Sequence, residues 1–145
     1  MKKHIEETLH SEIPITKSIG ILVKGYSENG ITLAAPLSNN INHKNTAFGG
    51  SLYSVCVLTG WSLIYALMTK KELSGHIVIQ ESNIKYLKPV TSDINASSCF
   101  RDENQINRFV NVYRKKRISR ITLIVTVKQN NIEAVRFEGR YVVHQ

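Results

Sequence analysis

Between Asn40 and Ser51 the chain concentrates groups that could do chemistry: Asn40, Asn42, His43 and Thr46, followed by Phe48-Gly49-Gly50-Ser51. The glycines stand near the start of a segment, Ala47–Thr69, that carries no charged residue and reads as a helix. The first N–H groups of a helix have no partner inside it, so they can receive an oxygen that gains negative charge. Glycine removes the side chain that would hold such a group away from the backbone. A plainer account stands beside this one, in which Gly49-Gly50 packs the helix start against a strand or opens a turn. Asn42 offers an amide that both donates and accepts, and His43 is a candidate acid or base, as imidazoles commonly are. Their plain accounts are turn formation, which suits Asn39, Asn40 and Asn45 as well, and a surface loop histidine. Ser51 serves either as the helix cap, its hydroxyl satisfying a backbone donor, or as a substrate contact.

Outside this segment candidates are sparser. Glu81 is a carboxylate on a predicted strand, open to a structural, an interface or an acid role, because alternation alone does not set which way it faces. Cys56 lies in the apolar run with no activating cation predicted beside it, which reads as core packing before nucleophile. Cys56 and Cys99 are expected as two buried thiols and not as a disulfide. The five histidines show no ligand spacing with each other or with the cysteines, so no metal site is expected. The run Arg114-Lys115-Lys116-Arg117, with Arg120 beyond it, either docks an anionic partner or faces solvent at a helix end, where positive charge suits the dipole.

The elements that must position these groups follow from periodicity. Ile5, Leu9 and Ile13 predict a lead-in helix over Glu6–Ile13, stopped by Pro14. Alternation of Ile19, Ile21 and Val23, and of Ile31, Leu33 and Ala35, about Glu28-Asn29-Gly30 predicts a β-hairpin. The uncharged segment is formally long enough to span a membrane. Ser51, Ser54, Thr59, Gly60, Ser62 and two tyrosines interrupt it, and strand signals flank it, so a core helix buried nearly all round is expected instead. His76–Pro89 and Ser92–Arg101 predict strands, and Ile118–Gln129 with Ile132–Val143 a hairpin about Asn130-Asn131. Ile106, Phe109, Val110 and Tyr113 predict an amphipathic helix over 104–115. A helix of roughly 31 Å matches strands of roughly 36 Å, which points to an α+β fold with an antiparallel sheet curled around one helix.

The 145 residues, 42% of them hydrophobic, suit one domain spanning 1–145. The start Met1-Lys2-Lys3 runs into His4, Glu6, Glu7 and His10 in place of an apolar stretch with a cleavage site, so a cytoplasmic location is expected. A net charge of +8 suits an anionic partner. Nucleic acid is not expected, since no groove-reading motif or aromatic-interleaved basic sheet accompanies the charge.

The blocks Ala35-Pro36-Leu37, Asn40-Ile41-Asn42, Thr46, Phe48-Gly49-Gly50-Ser51-Leu52, Thr59-Gly60-Trp61, and Ile77-Val78-Ile79 leading to Ile84-Lys85-Tyr86-Leu87-Lys88-Pro89 resemble the hot-dog thioesterase superfamily. They resemble more closely its thioesterase-like family, found fused to acetyltransferase domains or alone, which includes malonyl-acyl-carrier-protein decarboxylases. The resemblance implies a hot-dog fold and a homodimer, with a tetramer also open, whose sites lie between protomers. It implies a substrate that brings its own phosphopantetheine or coenzyme A, so no separate cofactor is expected. On this basis Gly49 and Gly50 form the oxyanion hole and Asn42 is catalytic, while Asn40, His43, Thr46, Phe48, Ser51, Val57 and Glu81 surround the substrate. Superfamily members commonly place His-Gly-Gly at the helix start and a carboxylate about two and a half turns later. Here Phe48 and Val57 stand at those positions. Hydrolysis needs an activated water and a protonated leaving thiol, whereas decarboxylation needs chiefly an apolar place for the carboxylate and a stabilised enolate. Malonyl-carrier-protein decarboxylation feeding fatty acid synthesis is therefore the leading expectation; the alternatives are hydrolysis of acyl-carrier-protein or acyl-CoA thioesters, and non-catalytic thioester binding.

Overall fold

The computed structural model describes residues 1–145. In chain order the elements are α1 (Lys2–Glu12), α2 (Ile15–Ile19), β1 (Leu22–Tyr26), β2 (Gly30–Ala35), α3 (Gly49–Lys70), β3 (His76–Tyr86), β4 (Ile94–Cys99), α4 (Glu103–Lys116), β5 (Ile118–Gln129) and β6 (Ile132–His144), with a 3-10 turn at Leu37–Asn39. Every strand pairing is antiparallel, in the order β1-β2-β4-β5-β6-β3. The sheet packs around α3, the hot-dog arrangement that the resemblance implies.

Period-two patterning drives this packing. Along β5, Ser119, Ile121, Leu123, Val125 and Val127 are buried while Arg120, Thr122 and Ile124 are exposed. The turn into β6 places Asn130 and Asn131 at φ 53° and 61°, as a two-residue hairpin with the native twist requires. Strand β6 sends Phe137 and Tyr141 into the core. The Tyr141 hydroxyl donates to Val57 O at 2.7 Å, and Gly60 makes room for it, since a Cβ there would lie 2.2 Å from that hydroxyl.

Helix α3 is less enclosed than expected. Leu52, Val55, Cys56, Leu63, Ile64 and Leu67 are buried, but Tyr53, Val57, Trp61 and Tyr65, spaced by four, form a half-buried stripe. Trp61 and Tyr65 stack with ring centroids 5.1 Å apart. The Tyr65 hydroxyl meets Thr8 and His4 of α1, so the lead-in helix reaches the stripe at its C-terminal half.

Several expected boundaries move. Pro14 ends α1 but also precedes a second short helix, α2, in which Ile19 is helical and not a strand residue. Gly20 closes that helix at φ 80°, a left-handed conformation natural to glycine. Strand β3 stops at Tyr86 and β4 spans only Ile94–Cys99. Cys99 is exposed, not buried, because Ile94, Ala96 and Ser98 take the inward positions of β4. Helix α4 is capped by Asp102, whose side chain accepts from Gln105 N at 2.8 Å. It buries Ile106, Phe109, Val110 and Tyr113.

The two sheet edges differ. At β1 the Glu6 carboxylate takes the Val23 N–H at 2.9 Å. Strand β3, with 11 residues and none buried, pairs with β6 on one side only.

Candidate functional site at the start of helix α3

The start of α3 is fixed from both sides. Asn40 O accepts from Phe48 N at 2.7 Å and Val90 O accepts from Ala47 N at 2.8 Å, while Ile41 bridges Ala47. Asn40 is the anchor. Its side chain is buried, and its Nδ2 donates to Ile19 O at 2.9 Å and Pro36 O at 2.8 Å. Both amide protons serve the fold, so the expected substrate contact at Asn40 gives way to a positioning role.

No side chain caps α3. Phe48, extended at φ −63° and ψ 134°, precedes the first helical residue, Gly49. Ser51 therefore lies inside the first turn and is not the cap, which must precede that turn. The N–H groups of Gly49, Gly50 and Ser51 find no acceptor in the chain, and the first helical bond is Leu52 N to Phe48 O at 3.0 Å. Free donors at one helix end, reinforced by the dipole, form a receptor for a negatively charged oxygen.

Packing does not require glycine at position 49. Neither Gly49 nor Gly50 has positive φ. The nearest atoms to a Cβ on Gly49 would be those of Tyr86, at 3.5 Å, an ordinary contact. A Cβ on Gly50 would come within 2.5 Å of Phe48 Cε2. The rim is apolar and open, with Ile41, Phe48, Tyr86 and Leu87 all exposed. The Tyr86 hydroxyl donates to Gly49 O at 2.9 Å. Burial, with lesser contributions from Cys56 and Tyr53, pushes this phenol above its ordinary pKa, so it remains a proton donor at neutral pH.

The preceding loop is organised by Asn42. Its Oδ1 accepts from Lys44 N at 2.9 Å and Thr46 N at 3.1 Å, and its Nδ2 donates to Thr46 Oγ1 at 2.8 Å. Its backbone N–H donates to Thr46 O at 2.8 Å. Asn45 sits at φ 62°, consistent with its expected turn role. The structure thus gives Asn42 the turn-forming work of its plain account, with one side-chain N–H left over. Thr46 is its partner in this network, and His43 is exposed at the loop surface.

Farther along α3, Val57 stands half-buried on the stripe with Tyr53 one turn before it. The Tyr53 hydroxyl meets Ser82 Oγ of β3 at 2.6 Å, and its ring makes an edge contact with Phe137. Cys56 is fully buried and its thiol is pushed up to about 12 by burial, which rules it out as a thiolate nucleophile at neutral pH. Glu81 does not face this region. It stands opposite Arg140 of β6, on the outer face of the sheet, after a bulge between Ile79 and Glu81. That extra residue reverses the facing that simple alternation would give. The polar groups brought to the helix side are thus tyrosine and serine hydroxyls, on Tyr53, Ser82 and Tyr86. Sequence reasoning passed over Tyr53, although its spacing of three and four residues from Gly50 and Gly49 places it on their face of a helix. The basic run lies apart, with Arg114, Lys115 and Lys116 in the last turn of α4 and Arg117 closing it at φ 57°.

Comparison with known proteins bears on the fold and the family. The family described as "Putative thioesterase (yiiD_Cterm)" matches residues 2–145. A protein of unknown function from Chlorobaculum tepidum is 29% identical, with TM-score 0.94 over 99% of this chain and 94% of that one. A "putative thioesterase" from Shewanella oneidensis is 28% identical, with TM-score 0.91 over 99% of this chain and 97% of that one. A thioesterase from Haemophilus influenzae shares the fold at 14% identity, with TM-score 0.74 over 99% of this chain and 90% of that one.

Proposed function

This chain belongs to the family described as "Putative thioesterase (yiiD_Cterm)", and from that premise we propose that it is an enzyme that decarboxylates malonyl thioesters at the start of α3. The observation that carries this choice is the set of free N–H groups at Gly49, Gly50 and Ser51, with Val57 where the superfamily's carboxylate would stand. The thioester oxygen accepts from Gly49 and Gly50. The carboxylate leaves as carbon dioxide, its bonding electrons pass into an enolate held on that oxygen, and a proton from solvent then gives the acetyl thioester. An oriented donor is worth more to such an oxygen in a water-poor site than in bulk water. The apolar rim of Ile41, Phe48, Tyr86 and Leu87 suits the departure of an unsolvated carboxylate. The remaining N–H of Asn42, held by its turn, orients the carboxylate, and the hydroxyls of Tyr53 and Tyr86 stand on the helix side of β3 that faces the enolate.

Hydrolysis of acyl thioesters is the second reading, favoured by the name of the Shewanella oneidensis relative. The two separate by mass spectrometry of products from malonyl- and long-acyl-carrier-protein and the matching CoA thioesters. An acetyl thioester supports decarboxylation, a free acid supports hydrolysis, and no turnover sinks both in favour of thioester binding. The substrate supplies its own phosphopantetheine arm, so the reaction calls for no separate cofactor.

The working unit we propose is a homodimer. The free edge of β3 offers an 11-residue ladder for pairing. The half-buried α3 stripe and the rim beside Gly49 supply apolar surface for a second copy to cover. A concentration-independent monomer in sedimentation would contradict it.

A further inference from the structure

On the face of the sheet turned away from α3 lies a groove of about 1340 Å³. Its floor is formed by outward residues of β2, β4, β5 and β6, among them Thr32, Ser97, Thr122 and Thr126, and one wall is α4. Gln105 Nε2 ties that wall to the floor by donating to Thr122 O at 3.0 Å. Arg101, Arg108, Arg120 and Arg140 line the groove, against the single carboxylate of Glu138. The chain has twelve lysines and seven arginines, yet four arginines and no lysine stand here.

These cations are short of partners. Arg101 pairs with Asp102, but Arg108, Arg120 and Arg140 form no ion pair. Arg140 stands directly opposite Glu81 in register without bridging to it. Arg120 Nε donates instead to the neutral Gln80 Oε1 at 3.3 Å, which orients the guanidinium and leaves its charge uncompensated. Arg120 is in register with Val142 and Thr122 with Arg140, so the two arginines are diagonal cross-strand neighbours, roughly 7–8 Å apart at Cα. Two like charges held so close favour an anion between them.

We propose that this groove is a second ligand site, separate from the thioester site, for a small molecule bearing a diphosphate. Guanidinium forks match phosphate oxygens in pairs, and the threonine and serine hydroxyls of the floor supply uncharged donors beside them. Convergent arginines suit compact charge better than the spread-out carboxylates of an acidic peptide. Seating the same groove of a second copy here would set four further arginines against these four, so it does not suit self-pairing.

The test is calorimetric titration of the whole protein at low salt with ADP, inorganic pyrophosphate, coenzyme A and polyglutamate. ADP is expected to bind at one site per chain, more weakly as salt rises. The Arg120→Gln/Arg140→Gln protein should bind it at least tenfold more weakly while melting as the parent does. Arg108→Gln, a single change on the α4 wall, should weaken binding severalfold and serves if the double variant does not fold. Pyrophosphate binding as well as ADP assigns the site to free diphosphate, and coenzyme A binding more tightly, with that gain lost in the Arg120→Gln/Arg140→Gln protein, assigns it to the nucleotide end of that molecule. The proposal is overturned if none of the three phosphates binds at millimolar concentration, if the variants bind ADP like the parent, or if polyglutamate binds more tightly than ADP.

Discussion

Replacing Gly49 by alanine separates a catalytic role for the helix start from a packing role. The backbone at Gly49 is not in the left-handed region, and the nearest contact of the added Cβ is the Tyr86 ring, at 3.5 Å. Alanine also favours a helix over glycine by up to about 1 kcal/mol. For a chain of 145 residues, an unfolding entropy of about 2.1 cal/mol/K per residue makes 1 kcal/mol equivalent to about 3 °C in Tm. The Gly49→Ala protein should therefore melt within about 3 °C of the parent, or slightly above it. Its activity should behave differently, because the methyl group occupies the approach to the N–H of Gly49. Loss of one such donor is worth about 3 kcal/mol, and at 1.36 kcal/mol per decade this is roughly a 150-fold loss in kcat/KM. The assay is turnover of malonyl and acyl thioesters followed by mass spectrometry, with thermal unfolding in parallel. Turnover within threefold of the parent at unchanged Tm would refute the oxyanion role. A fall in Tm of more than about 5 °C would refute the steric reasoning. Gly50→Ala is a poorer probe, since its Cβ would meet Phe48 at 2.5 Å and mix the two effects.

Asn40→Ala should lower Tm by about 6–9 °C, because Ile19 O and Pro36 O lose their donor at a cost of about 2–3 kcal/mol; a drop below 2 °C in calorimetry would remove Asn40 as the anchor. Alkylation of the native protein at pH 8 should add one label, on exposed Cys99, and none on buried Cys56 with its thiol near 12. Peptide mapping that finds Cys56 labelled before unfolding would contradict the packing described. The bond from Gln105 N to the Asp102 carboxylate lowers its pKa below the ordinary 3.8, so capping stabilises the fold above that value and is lost as pH falls through the lower folded value. The Tm difference between parent and Asp102→Ala should accordingly stay constant from pH 7 to about pH 5 and shrink in stronger acid; a difference that grows on acidification would reverse the assignment.

Local patterns carried much of this protein in advance. The uncharged run Ala47–Thr69 with Gly49-Gly50 near its start specified a core helix with accessible N–H groups, and alternation along Ile118–Gln129 and Ile132–Val143 specified the longest hairpin, which the structure carries on to His144. The missing carboxylate at Val57 was equally legible, since spacing along a helix fixes position without knowledge of any neighbour. Groups whose roles depend on distant partners were not legible. Asn40 became an anchor through a carbonyl 21 residues away. Glu81 was turned outward by a single extra residue in β3, because one added residue exchanges the two faces of a strand. Tyr53 and Ser82 met across 29 residues, and four scattered arginines converged on one groove only when β5, β6, α4 and the loop before α4 were placed side by side. Sequence periodicity determines which face a residue can join within its own element; the register between elements decides what that face meets.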